Sequence, residues 1–174
     1  MKIYTIGHST HAITRFIAML KSFDIQLLAD IRSMPGSKKY PQFNQDALSW
    51  SLKENGIEYV HMPGLGGRRR ALKHSVNTVW QNKAFRGYAD YMGTDEFKTA
   101  IQELERLATI RCTAYMCAEA VWWRCHRSLV SDYLKAHGWE VLHIMDIGKV
   151  TEHPYSSPAR PVQGDIFHGS GPNK

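Results

Sequence analysis

Cys117-Ala-Glu119 and, a few residues on, Arg124-Cys125-His126-Arg127 bring two thiols, a carboxylate, an imidazole and two guanidinium groups into one short segment. The segment reads as the turn between a strand and a helix. A thiol in such a turn faces backbone N–H groups and the positive end of a helix dipole, and its proton affinity falls. Arg124 and Arg127 would deepen that fall. Glu119 would oppose it, or serve as a general acid or base. Nucleophile and packed core thiol both remain open for Cys117. A structural zinc site would want close cysteine pairs. Cys117 and Cys125 are eight apart with no second pair, so no metal and no cofactor is expected, and Cys112 reads as packing.

A second constellation is Asp30-Ile-Arg32-Ser33-Met-Pro-Gly-Ser37-Lys38-Lys39. Arg32, Ser33, Ser37 and Lys38 have the donors to cradle a phosphate or carboxylate. An ordered loop around a buried Asp30–Arg32 pair is the structural alternative. Gly64-Leu-Gly-Gly67 followed by Arg68-Arg69-Arg70 joins a flexible backbone to three guanidinium groups. That suits a loop over an anionic ligand, or a nucleic-acid backbone. A solvated charge run is the competing reading. His8 and His61 each follow a β-prone run, where an imidazole can act as acid, base or ligand.

The elements that would position these residues alternate. β-prone runs are expected near residues 2–6, 25–29, 57–60, 113–116 and 139–144. Between them, helices are read from the apolar stripe Ile13, Phe16, Ile17, Leu20, from Asn44 to Gly56, over 85–92, from the Thr94 cap onward, and over 121–137. Alternation of this kind predicts an α/β single-domain, three-layer sandwich with a mostly parallel sheet of about five strands. Residues 1–150 form the α/β domain; 151–174, rich in proline and glycine, read as an irregular C-terminal tail. In such sheets ligands bind beyond the carboxyl ends of the strands. His8, Asp30, His61, Cys117 and Glu119 all follow strand ends, so one shared edge is expected.

Composition sets the outer limits. A chain of 174 residues with 43% hydrophobic and 22% charged residues is an ordinary globular domain. No apolar run is long enough to span a membrane, and the first residues lack a secretory signal pattern. Three cysteines, an odd number, suit free thiols in a reducing cytosol. Lys and Arg number 22 against 16 Asp and Glu, a net charge of +6, which favours an anionic partner.

Thr5-Ile-Gly-His-Ser9, Asp30-Ile-Arg-Ser33 with Pro35 and Ser37, Leu65-Gly-Gly67, and Cys117-Ala-Glu119 with Cys125-His-Arg127 together resemble the bacterial domain-of-unknown-function family 488. The resemblance runs from residue 3 to about 160. It implies a single α/β domain in the prokaryotic cytosol, with no established activity. Family members often carry Arg where this chain has Lys38, which removes a bidentate fork. A weaker resemblance, in element order, is to the rhodanese and cysteine-phosphatase folds. Their tight anion cradle would be occupied here by Glu119 and two tryptophans, so their activity is not expected.

The expected function is an enzyme or ligand-processing domain for an anionic, nucleotide or nucleic-acid-related substrate. Cys117, Glu119, His8 and Asp30 would do the chemistry. Arg32, Ser33, Ser37, Lys38, His61, Arg68, Arg124, His126 and Arg127 would bind. The alternatives are a non-catalytic nucleic-acid-binding module and a Cys/His metal-binding protein; the oligomeric state stays open.

Overall fold

A computed structural model describes residues 1–155 and two short strands at 160–162 and 165–167. β1 (Lys2–Gly7), β2 (Leu27–Asp30), β3 (Glu58–His61), β4 (Thr113–Cys117), β5 (Glu140–Asp146) and β6 (Lys149–Glu152) form one sheet, in the order β3-β2-β4-β1-β5-β6. The first five run parallel, and β6 returns antiparallel along β5. The sixth strand is exposed throughout, so it lacks the apolar run that marks the others. Gly148, at φ 67°, makes the turn into it.

Helices α1 (Ile13–Lys21) and α2 (Gln45–Glu54) cover one face of the sheet. Helices α3 (Lys83–Tyr91), α4 (Asp95–Ile110) and α5 (Arg127–Ala136) cover the other. Phe16, Leu20, Leu48 and Leu52 pack on Ile6, Leu28 and Met116 from the first side. Phe97, Ile101, Leu104, Leu129 and Leu134 pack on Ile3, Leu27, Ala29 and Val141 from the second. Strand residues alternate between the two cores, as the pleat requires. The architecture is the expected α/β sandwich. Among the described residues, no helix is long and apolar enough to cross a membrane.

Two local expectations change. The helix expected over 121–137 starts at Arg127, and Trp122–Arg124 form a single 3-10 turn instead. Trp122 lies flat on the His143 ring of β5, centroids 4.6 Å apart and planes 3° from parallel. That stacking holds the segment against the sheet and delays the helix. At α2, the Asn44 side chain does not cap the helix. It accepts a 2.6 Å hydrogen bond from the Ser37 backbone, and so closes the proline loop. Thr94 does cap α4, accepting from the Phe97 N–H. In the segment expected as tail, Thr151 and Glu152 belong to β6, and β7 (Arg160–Val162) pairs with β8 (Asp165–Phe167) as a hairpin. Residues 156–159, 163–164 and 168–174 of that expectation lie outside the described residues.

Candidate functional site

Neighbouring strands β1 and β4 send their chains to opposite faces of the sheet. β1 leads to α1, and β4 leads to α5. A crevice opens where such loops part. Gly7 pairs with Cys117 in register. The ladder then continues past the strand ends, with His8 N–H donating to Cys117 O at 3.0 Å and Ser9 N–H to Ala118 O at 2.9 Å. A Cβ on Gly7 would collide with the Glu119 carbonyl, so only glycine lets the loops come this close. Met116 and Asp30 stand in register on the other side of β4, and Asp30 and His61 across β2 and β3. One edge of the sheet therefore carries every strand-end residue singled out by sequence.

The resulting cleft encloses about 580 Å³, a size that holds a drug-sized ligand. Of the residues expected to do chemistry, His8, Cys117 and Glu119 line it. Of those expected to bind, Arg32, Ser33, Ser37, Arg68, Arg124 and His126 do so. Arg32 is ion-paired with Asp30, but Arg68 and Arg124 outnumber Glu119 in the lining, so the cleft favours an anion. Ser9 and Arg68 are two non-glycine residues with left-handed backbone, φ 46° and 61°, and both line it. Such residues cost about 1 kcal/mol or more, and persist where surrounding contacts hold them.

Four expected site residues lie elsewhere. Asp30 is fully buried beneath the cleft. Its Oδ1 accepts from Arg32 N and Nε at 3.1 and 2.8 Å, and its Oδ2 accepts from Arg32 Nη2 and Tyr59 OH at 2.6 and 2.7 Å. With its acceptor positions taken, the carboxylate aims Arg32. His61 donates from Nε2 to Arg32 O at 2.8 Å and lines a separate hollow between β3 and α4. Lys38 is exposed and outside the lining. Arg127 is buried behind the cleft, 1% exposed.

His8 stacks on Phe43, centroids 4.3 Å apart. Its Nδ1 is 2.9 Å from Ser9 O and its Nε2 is 3.3 Å from Arg32 Nη1. A carbonyl only accepts and a guanidinium only donates, so Nδ1 carries the proton and Nε2 accepts. Burial, with the Arg32 charge adding to it, pulls its pKa down to about 4. His8 is therefore neutral near pH 7. His126 is likewise held at about 4, chiefly by burial.

Cys117 and Cys125 are both buried and both line the cleft. Burial alone would raise the Cys117 thiol. The hydrogen bond from the Cys125 thiol and the Arg127 charge outweigh it and bring Cys117 down to about 7. Cys125 moves the opposite way. Burial, the Cys117 sulfur and its charge push it well above the ordinary thiol range. Among the described residues, the Arg127 guanidinium donates to the Glu119 and Ala120 carbonyls, both at 3.3 Å, while its Nε and Nη1 have no hydrogen-bond partner. Among the described residues no carboxylate pairs with it. A buried cation with no carboxylate beside it favours a nearby anion, and Cys117 would supply one when ionised. That Cys125 joins Cys117 in the cleft was not foreseen. The signal was present in the spacing, since a strand end and the following helix start share one edge of the sheet.

Arg69 was grouped with Arg68 and Arg70 by sequence. It lies 3.7 Å from the centre of the Tyr91 ring and donates to the Gly66 and Pro63 carbonyls. It therefore ties the glycine loop to α3, while Arg68 serves the cleft.

No curated protein and no solved structure matches the chain. A family model described as "Domain of unknown function DUF488" matches residues 12–134, a span that holds α1 through most of α5 and the whole Cys-Ala-Glu to Cys-His-Arg block. The chain belongs to the DUF488 family.

Proposed function

We propose that the chain is an enzyme acting on a small anionic substrate, nucleotide or nucleic-acid-related, by covalent catalysis through a Cys117 thiolate. The observation that carries this reading is the Cys117 thiol in an arginine-lined cleft, beside a buried Arg127 that has no carboxylate partner among the described residues. Arg127 stabilises the thiolate, and Arg68 and Arg124 at the cleft attract the substrate's charge. Glu119, exposed on the same wall, can give a proton to a leaving group and take one from water. Neutral His8 accepts from Arg32 and helps hold that charge towards the ligand. Ser33 donates to Gly67 O at 2.8 Å, so the proline loop and the glycine loop close the cleft together. A purely nucleic-acid-binding module would need the arginines but not the thiol arrangement.

Paired alkylating reagents test both halves of the reading. Iodoacetate carries the charge the cleft favours, and iodoacetamide is its neutral counterpart. The rate ratio of iodoacetate to iodoacetamide at Cys117 should exceed that of a free small thiol by about tenfold, or about 1.4 kcal/mol. Arg68→Ala with Arg124→Ala should return it to the small-thiol value. A Cys117 that resists both reagents until the protein unfolds would make it a packing thiol.

A further inference from the structure

The two thiols of the cleft have a chemistry that the proposed catalysis does not use. Cys117 and Cys125 are both buried, both line the same cleft, and neither is in a disulfide. Arg127 bridges their surroundings: its side chain donates to Glu119 O, which the Cys117 Sγ approaches at 3.8 Å. Cys125 is also held by a second set of contacts. The Arg127 backbone N–H donates to its Sγ at 3.4 Å, and the His126 Nδ1 lies 3.6 Å from that sulfur. The third cysteine, Cys112, is on the far side of the molecule's connections. Its thiol donates to Phe23 O at 3.5 Å, at the start of β4 rather than its end.

We propose that Cys125 is a resolving thiol, and that hydroperoxides reversibly close the site by driving a Cys117–Cys125 disulfide. In the first step the Cys117 thiolate attacks one oxygen of the peroxide. The S–O bond forms, the O–O bond breaks, and hydroxide (or an alkoxide) leaves with the electron pair. Sulfur is oxidised by two electrons and the peroxide is reduced by two. In the second step the Cys125 sulfur attacks the sulfenic sulfur. The S–S bond forms, the S–O bond breaks, and the oxygen departs as water, carrying away the Cys125 proton. The order of events is built in. The negative Cys117 sulfur holds the Cys125 proton in place, and conversion to the neutral sulfenic acid removes that hold. A dithiol reductant reverses the bond.

Only the consequence for catalysis rests on the proposed enzymatic reading; formation of the bond does not. The test is non-reducing peptide mapping of the whole protein after titration with hydrogen peroxide. The expected result is a Cys117–Cys125 linked peptide, Cys112 still free, and full return of both thiols with dithiothreitol. Cys125→Ala should instead accumulate a Cys117 sulfenic acid that dimedone traps, while Cys112→Ser should behave as wild type. Wild-type protein that goes directly to sulfinic acid at Cys117, or links Cys112, would overturn the inference without need of any variant. Linkage with an ordinary iodoacetate ratio would keep the inference and sink the enzymatic reading. A favourable ratio without linkage would do the reverse.

Discussion

At the scale of single residues, Arg127 decides what Cys117 is. Its charge acts on the cysteine pair, His143 and Tyr115. Arg127→Met keeps much of the volume and removes the charge. The midpoint for alkylation of Cys117 should then rise by at least about one pH unit, equivalent to about 1.4 kcal/mol of lost thiolate stabilisation. An unchanged midpoint, measured by mass spectrometry over a pH series, would remove Arg127 from the site. Cys117 is legible in the sequence because it ends a strand, and Arg127 because it falls in the turn and helix that follow. Sequence reading did not reach the buried chain of Thr5 Oγ1, His143, His153 and Asp132, linked at 2.7, 2.9 and 2.8 Å. Those partners come from β1, β5, the end of β6 and α5, and no spacing along the chain connects them.

At the scale of elements, the site depends on how closely the β1 and β4 loops approach. A Cβ at Gly7 would fall on the Glu119 carbonyl, whereas a Cβ at Gly36, on the proline loop, would meet nothing within 4 Å. Gly7→Ala should therefore cost about 1–3 kcal/mol by overpacking and slow Cys117 alkylation as the loop is displaced. Gly36→Ala should leave stability within about 0.5 kcal/mol. Urea unfolding of the two variants checks the contrast, and equal losses would contradict it. The strands were legible in sequence to within a few residues because apolar runs bury on both faces. The edge strand β6 was not, being exposed and four residues long. The late start of α5 was also hidden, because a stacking contact between Trp122 and His143 overrides helical periodicity there.

At the scale of the whole molecule, buried neutral histidines make stability sensitive to acid. His8 and His126 have pKa values of about 4 in the fold, and His143 is held lower still by burial, His153 and Arg127. Unfolded histidines titrate near about 6.5. Between those values the unfolded chain binds more protons than the folded one, so stability present above about pH 6.5 is lost as pH falls towards 4. The loss should approach about 1.4 kcal/mol per pH unit for each such histidine. Urea midpoints should drop steeply from pH 6.5 to pH 4.5, and His8→Phe, which keeps the stacking shape against Phe43, should flatten the drop. A flat wild-type profile would mean that these rings are protonated in the fold.

The most direct measurement of the central claim is the pH–rate profile of Cys117 alkylation by iodoacetamide, followed by peptide mass spectrometry in the native protein. The expected profile rises with a midpoint near pH 7, while Cys112, raised by burial and Asp24, reacts only at higher pH. A Cys117 midpoint at or above the ordinary thiol value of about 8.5, or protection until unfolding, would contradict a functional thiolate in this cleft.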